Sequence, residues 1–207
     1  MKPRTMRFLS MLLFLSVFFS VHCGATEYQV DVMRSDIGFV IKHIFTKVHG
    51  KFTQFKGTFT IDDLDLSIKR VAFTIYPNSI NTQNEDRDRI LKGRHFFDVS
   101  TYPEITFVGK STRKTGSNYD ITGDLKMHGI TKRVVFKAED LGSEKNTFGQ
   151  TMARFRATTT IDRYDFGLVW NQTLDTGGVL VDNTIMITVD LEASPIPKAI
   201  KPKNLKR

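Results

Sequence analysis

Alternation of apolar and polar residues is the strongest constraint on how this chain folds. Phe39, Ile41 and His43 share one face of an extended segment, Phe59 and Ile61 another, and Val71, Phe73 and Ile75 a third. The same period continues at Ile105 and Phe107, at Tyr119, Ile121 and Leu125, and at Val134 and Phe136. It ends with Phe155, Ala157 and Ile161, then Ile185, Ile187, Val189 and Leu191. A period of two means strands with one buried face. The breaks between them carry turn residues, such as "DDLD" from Asp62, "TGSN" from Thr115, "HG" at His128 and "TGG" from Thr176. About eight strands joined mostly by short turns predict an all-β antiparallel sheet, closed into a barrel or folded as a sandwich.

One connection, from Pro77 to Pro103, is long and breaks the period. Asn84 suits a helix cap, Glu85, Asp86 and Asp88 crowd the first turn where the helix dipole favours anions, and Gly93 suits the exit. Only Ile90 and Leu91 are apolar there, so the helix is expected to be short and to lie on the body rather than inside it. Phe96 and Phe97 follow at once. Leaving both rings in water forfeits about 1.5 to 3 kcal/mol each, so at least one is expected to point into the barrel, with the segment acting as a lid or plug over one end.

The two ends read differently from the body. Lys2, Arg4 and Arg7 precede the apolar run from Phe8 to Val21, and the small residues Gly24 and Ala25 follow. That order predicts a secretory signal peptide over residues 1 to 25, cleaved before Thr26; the run is shorter than the roughly 20 residues a spanning helix needs. The formal charge is +8, but eight basic residues lie in the leader and in the last ten residues, where Lys198, Lys201, Lys203, Lys206 and Arg207 stand. The body is therefore near neutral, which argues against a nucleic-acid partner. Residues 195 to 207 read as a disordered basic tail, suited at most to weak contact with an anionic membrane surface. Cys23 is the only cysteine and falls in the leader, so neither a disulfide framework nor a thiolate metal site is expected.

Chemistry-bearing candidates are few. His43, His49, His95 and His128 lack metal-ligand spacing, and no cofactor motif, phosphate loop or G-x-S-x-G stretch occurs. His43 alternates with Phe39 and Ile41. It therefore reads either as an inward group that could hydrogen-bond the polar end of a ligand or as a histidine satisfied by its neighbours. Arg87 and Arg89 with Asp86 and Asp88 fit pairing along a solvated helix face. Asp162 and Arg163, beside Tyr164, fit an ion pair that stabilises a turn.

Several stretches together resemble the YceI-like family of secreted lipocalin-like proteins that bind polyisoprenoids and related lipids. They are "YQVD" from Tyr28, "IGFVIKH" from Ile37, "VHGKFTQFKGTFTID" from Val48, "SINTQNEDRDRIL" from Ser79, "FFDVSTYPEITF" from Phe96, "ITGDLKMHGITKRV" from Ile121 and "FRATTTIDRYDFGLVW" from Phe155. Arg34, Thr46 and Arg154 depart from the usual histidine, serine and glycine of that pattern, which implies altered contacts near the mouth.

The resemblance implies an eight-stranded antiparallel lipocalin-like barrel over residues 26 to 194 with one short helical insertion. It further implies an apolar channel for a polyisoprenoid, an isoprenoid quinone or a fatty-acid derivative, and no cofactor. It turns the inward residues from packed core into pocket wall. Strand parity makes those Phe39, Ile41, Phe52, Phe59, Phe73, Ile75, Phe107, Ile121, Leu125, Phe155, Ile161 and Ile187, with His43 and Phe97 as further ligand contacts. The expected function is a non-catalytic lipid carrier or store. The alternative is a lipid hydrolase or isomerase on the same barrel, with His43 or Asp162 as acid or base.

Overall fold

The computed structural model describes residues 24–44, 46–171 and 180–197. The expected leader up to Cys23 and the basic end from Lys198 lie outside the described residues. The strands are β1 (Ala25–Val30), β2 (Asp36–His43), β3 (Thr46–Phe52), β4 (Phe55–Asp62), β5 (Ile68–Ile75) and β6 (Ile80–Asn81). After helix α1 (Glu85–Lys92) come β7 (Ile105–Thr115), β8 (Asn118–Met127), β9 (Ile130–Lys145), β10 (Thr151–Asp162) and β11 (Val181–Pro195).

Eight of these strands form a closed antiparallel ring in the order β1, β4, β5, β7, β8, β9, β10, β11, and β11 returns to β1. Closure removes free sheet edges. On the edge away from β10, the long β11 serves two partners, pairing from Val181 to Asp190 with β2 and from Ala193 to Pro195 with β1. Thus β1 and β2 are two halves of one bent path. The bend is the 3-10 turn Val32–Arg34, capped by the Asp31 carboxylate, which accepts from the Met33 N–H at 3.0 Å.

The alternation marked eight segments, but not the same eight that close the ring. It marked β2 and passed over β1 and β3. Gly50 interrupts the inward row of β3, and β1 turns only Tyr28 and Val30 inward as large apolar residues, too short a row to register as a period. The expected tail also begins later than residue 195, because Pro195 pairs with Tyr28 and the Ile196 N–H donates to Glu27 O at 2.7 Å.

Beyond β3 the sheet is finished by the two-residue strand β6 and then by α1. The helix starts as expected, with the Asn84 side chain accepting from the Arg87 N–H. Gly93 ends it in an extended conformation, φ −75°, rather than a left-handed one. Asp86 and Arg89 pair at 2.9 Å in solvent. Arg87 and Asp88 instead fold back on Thr82: the Asp88 carboxylate accepts from the Thr82 N–H and hydroxyl, and the Arg87 guanidinium donates to the Thr82 carbonyl and hydroxyl oxygens. This clasp ties the helix to the sheet.

The other end of the barrel is drawn together by the turn after β4. The Asp62 carboxylate accepts from Lys69 Nζ at 2.7 Å and from the Leu64 N–H, and these bonds hold its carboxyl below the usual carboxylate range. A carboxyl whose pKa is lowered on folding adds stability above its unfolded value, and that contribution disappears as pH falls through the folded value. Asp62→Asn is therefore expected to lower the denaturant midpoint at neutral pH and to flatten its decline below about pH 4. Equal acid slopes in variant and parent would refute the assignment.

Candidate functional site

The inward faces of the ring enclose a cavity of about 140 Å³. Every side chain that lines it is apolar. Phe39 from β2, Phe52 from β3, Phe59 from β4, and Phe73 and Ile75 from β5 all line it, as parity required. So do Phe107 from β7, Ile121 and Leu125 from β8, Phe155 and Ile161 from β10, Ile187 from β11, and Phe97 after the helix.

Ile41 and His43 do not. They continue the face of Ile37 and Phe39; Ile185, opposite Ile41 on β11, lines the cavity although Ile41 does not, and His43 is opposite Val181, which is also outside the lining. Parity selects a face, and not every residue of that face reaches the wall. The wall also includes residues that the sequence reading left out, among them Val71, Met127, Phe136, Val189 and Leu191. Val71, Phe136, Val189 and Leu191 were on marked faces; Met127 only continues the row of Leu125.

Aromatic rings shape both ends. At the floor Phe59 and Phe155 meet edge to face at 5.6 Å, and they are backed by Tyr28, stacked on Phe59 at 5.4 Å, and by Tyr119, 6.2 Å from Phe155. The Tyr119 hydroxyl donates to Leu66 O at 3.0 Å, and burial raises its pKa. At the mouth Phe97 stands edge-on to Phe52 at 5.9 Å, and Phe52 meets Phe39 at 5.6 Å.

The backbone after α1 decides which of the paired rings enters. The Phe97 N–H donates to Leu91 O and the Phe96 N–H to Gly93 O, a tight turn that sends Phe97 inward and leaves Phe96 against Trp170 at 5.0 Å. Within the segment from Pro77 to Pro103, Phe97 is the residue that completes the cavity wall.

Polar candidates fall outside the cavity. Asp162 and Arg163 take separate partners rather than forming a turn-stabilising pair. Asp162 accepts from the Tyr164 N–H and from Asn183 Nδ2. Arg163 is 3% exposed, and its guanidinium donates to the carbonyl oxygens of Leu168, Trp170, Val181 and Asp182. Burial lowers its pKa. Arg34 and Arg154 are not at the mouth either; both reach Glu192, at 3.4 and 3.7 Å, on the outer wall beside the β1–β11 seam. The Thr46 hydroxyl donates to His43 O. Among the described residues no cluster of histidine, cysteine or acidic side chains could hold a metal ion.

The family model described as the YceI-like domain matches residues 28–193. The chain belongs to the YceI-like family. Protein YceI of Salmonella agona is 33% identical over 181 residues, covering 86% of this chain and 93% of the relative. A UPF0312 protein of Staphylococcus aureus is 37% identical over 171 residues, 82% of this chain and 98% of the relative. Among solved structures, the Campylobacter jejuni YceI protein has a TM-score of 0.66 at 28% identity, over 75% of this chain and 90% of that one. Burkholderia cenocepacia BcnA, with a TM-score of 0.69 at 22% identity over 79% and 98% of the two chains, shares the fold. So does a polyisoprenoid binding domain from Saccharophagus degradans, with a TM-score of 0.59 at 15% identity over 82% and 98%. The YceI-like fold accounts for the closed eight-stranded ring, and the cavity described above is the interior of that ring.

Proposed function

We propose that this YceI-like protein is a non-catalytic carrier or store that takes one long apolar chain into its barrel, a polyisoprenoid, an isoprenoid quinone or a fatty-acid derivative. The observation that carries the reading is the wholly apolar wall, running from an aromatic floor to a mouth finished by Phe97. Such a wall offers desolvation of about 0.8 kcal/mol per buried methylene, partly offset by ordering of the ligand. With no polar side chain in the wall, the ligand's polar end stays at or beyond the mouth.

A fold shared with a polyisoprenoid binding domain supports this choice. The reading as a hydrolase or isomerase needs polar groups converging beside the pocket, and its two candidates are placed elsewhere: His43 lies outside the cavity lining and Asp162 caps a turn. The charged, apolar and small residues up to Ala25 support a location outside the cytoplasmic membrane, where the basic end would suit at most weak contact with anionic lipid.

The test is organic extraction of protein purified from its own cells, followed by mass spectrometry. A long-chain lipid recovered at close to one per protein molecule is expected. Recovery of no lipid, together with failure of the pure protein to take up geranylgeraniol, would reject the reading.

A further inference from the structure

Three phenylalanines of the cavity wall lie over a glycine on the neighbouring strand. Phe73 is directly opposite Gly57 in the β4–β5 ladder, and a Cβ on Gly57 would fall 2.4, 2.6 and 2.8 Å from its Cε1, Cδ1 and Cζ. Phe39 is opposite Gly50, with its Cζ 2.3 Å from the corresponding point. The Cζ of Phe107 is 2.4 Å from that of Gly123. Non-bonded carbons sit about 3.5 to 4 Å apart, so each ring occupies the space that any other residue's side chain needs.

Backbone conformation does not require these glycines. Among the described residues the glycines with positive φ are Gly116, Gly129, Gly142, Gly149 and Gly167, none of them in this set. A glycine inside a strand weakens it, and close approach of another group is a usual reason for one. Here the approaching group is an aromatic ring laid along the wall, and all three rings face the same cavity. In a closed barrel an inward ring pushed off its glycine has only the lumen to enter. The lumen is narrow, about 140 Å³ with the rings against the wall. One displaced ring is enough to block it.

We propose that Gly50, Gly57 and Gly123 set the bore of the cavity, and with it the class of ligand, by letting Phe39, Phe73 and Phe107 lie against the wall so that the lumen admits a narrow hydrocarbon chain. The inference rests on the lipid-binding reading above and adds the residues that gauge the ligand. The sequence already carried the signal, because Gly50 and Gly57 fall at inward positions of β3 and β4, where a packed core calls for bulk.

Gly57 gives the cleanest test, since the three heavy atoms nearest its new methyl group all belong to the Phe73 side chain. The experiment titrates geranylgeraniol into the full chain and compares Gly57→Ala in the parent with Gly57→Ala in a Phe73→Leu background. Binding is expected to weaken about tenfold or more in the parent and by less than about threefold in the Phe73→Leu background, a coupling that a double-mutant cycle isolates. A parent that binds geranylgeraniol while Gly57→Ala binds it equally well overturns the inference and leaves the lipid reading standing. Equal losses in both backgrounds also overturn it. A parent that binds no geranylgeraniol overturns the inference, and it overturns the lipid reading as well only where organic extraction of the purified protein also recovers no lipid. If Gly57→Ala fails to fold in the parent, the inference requires it to fold and bind in the Phe73→Leu background; failure in both overturns it.

Discussion

Arg163→Met is expected to destabilise the fold by about 3 to 5 kcal/mol, because it strips the hydrogen bonds from one buried and three part-buried carbonyl groups at once. The arginine stands at the head of the turn after β10 and donates to Leu168 and Trp170 on one side of the 172–179 segment, and to Val181 and Asp182 on the other. Asn171 adds to the same junction: its side-chain NH₂ donates to Val181 O at 2.7 Å, and its side-chain oxygen accepts from the Val181 N–H. A lysine has fewer donors and no planar fork, so Arg163→Lys is expected to recover only part of the loss. Trp170, held by this arginine, is the ring on which Phe96 rests. The variant should therefore loosen the packing of Phe96 as well as unfold earlier. A denaturant midpoint for Arg163→Met that moves by less than the equivalent of about 1 kcal/mol would show that the carbonyls find other donors.

Phe97→Ala is expected to speed ligand release by roughly 10- to 100-fold, the equivalent of about 1 to 3 kcal/mol of lost apolar contact. The ring closes the wall at the mouth against Phe52 and lines the cavity directly. Phe96→Ala is the control: that ring packs on Trp170 outside the cavity, so its loss should leave the release rate near the parent's. Release of geranylgeraniol and the denaturant midpoint need to be measured together for both variants. A Phe97→Ala protein that loses stability but releases ligand at the parent rate would make the segment an ordinary core plug rather than a lid.

The barrel was legible because its longer strands bury one face each, and a one-face pattern is what a period of two records. The insertion was legible for a different reason: Asn84, the three acids after it and the exit at Gly93 mark a helix by its ends, so its scarcity of apolar residues did not hide it. Strand β3 escaped because Gly50 leaves a gap in its inward row, and that gap is where the Phe39 ring lies. A pattern built on side chains cannot register a position whose role is to have none.

Arg163 was misread for a related reason. An arginine next to an aspartate reads as a surface ion pair, and nothing local tells that the strand end turns it inward toward carbonyls that are close only after β10 and β11 have paired. The choice between Phe96 and Phe97 likewise depends on the turn from Gly93 to Asp98, which adjacent identical residues cannot announce. For Ile41 and His43 the shared face was not enough: neither lines the cavity, although Ile185, opposite Ile41, does.

Photoaffinity labelling tests most directly whether an apolar chain lies within the ring. Geranylgeraniol carrying a diazirine at the hydrocarbon end, irradiated on the protein and located by peptide mass spectrometry, should label the floor at Phe59 and Phe155 and the wall at Ile121. Label confined to outward residues such as Met33 and Phe148, with the floor unmarked, would contradict binding inside the barrel.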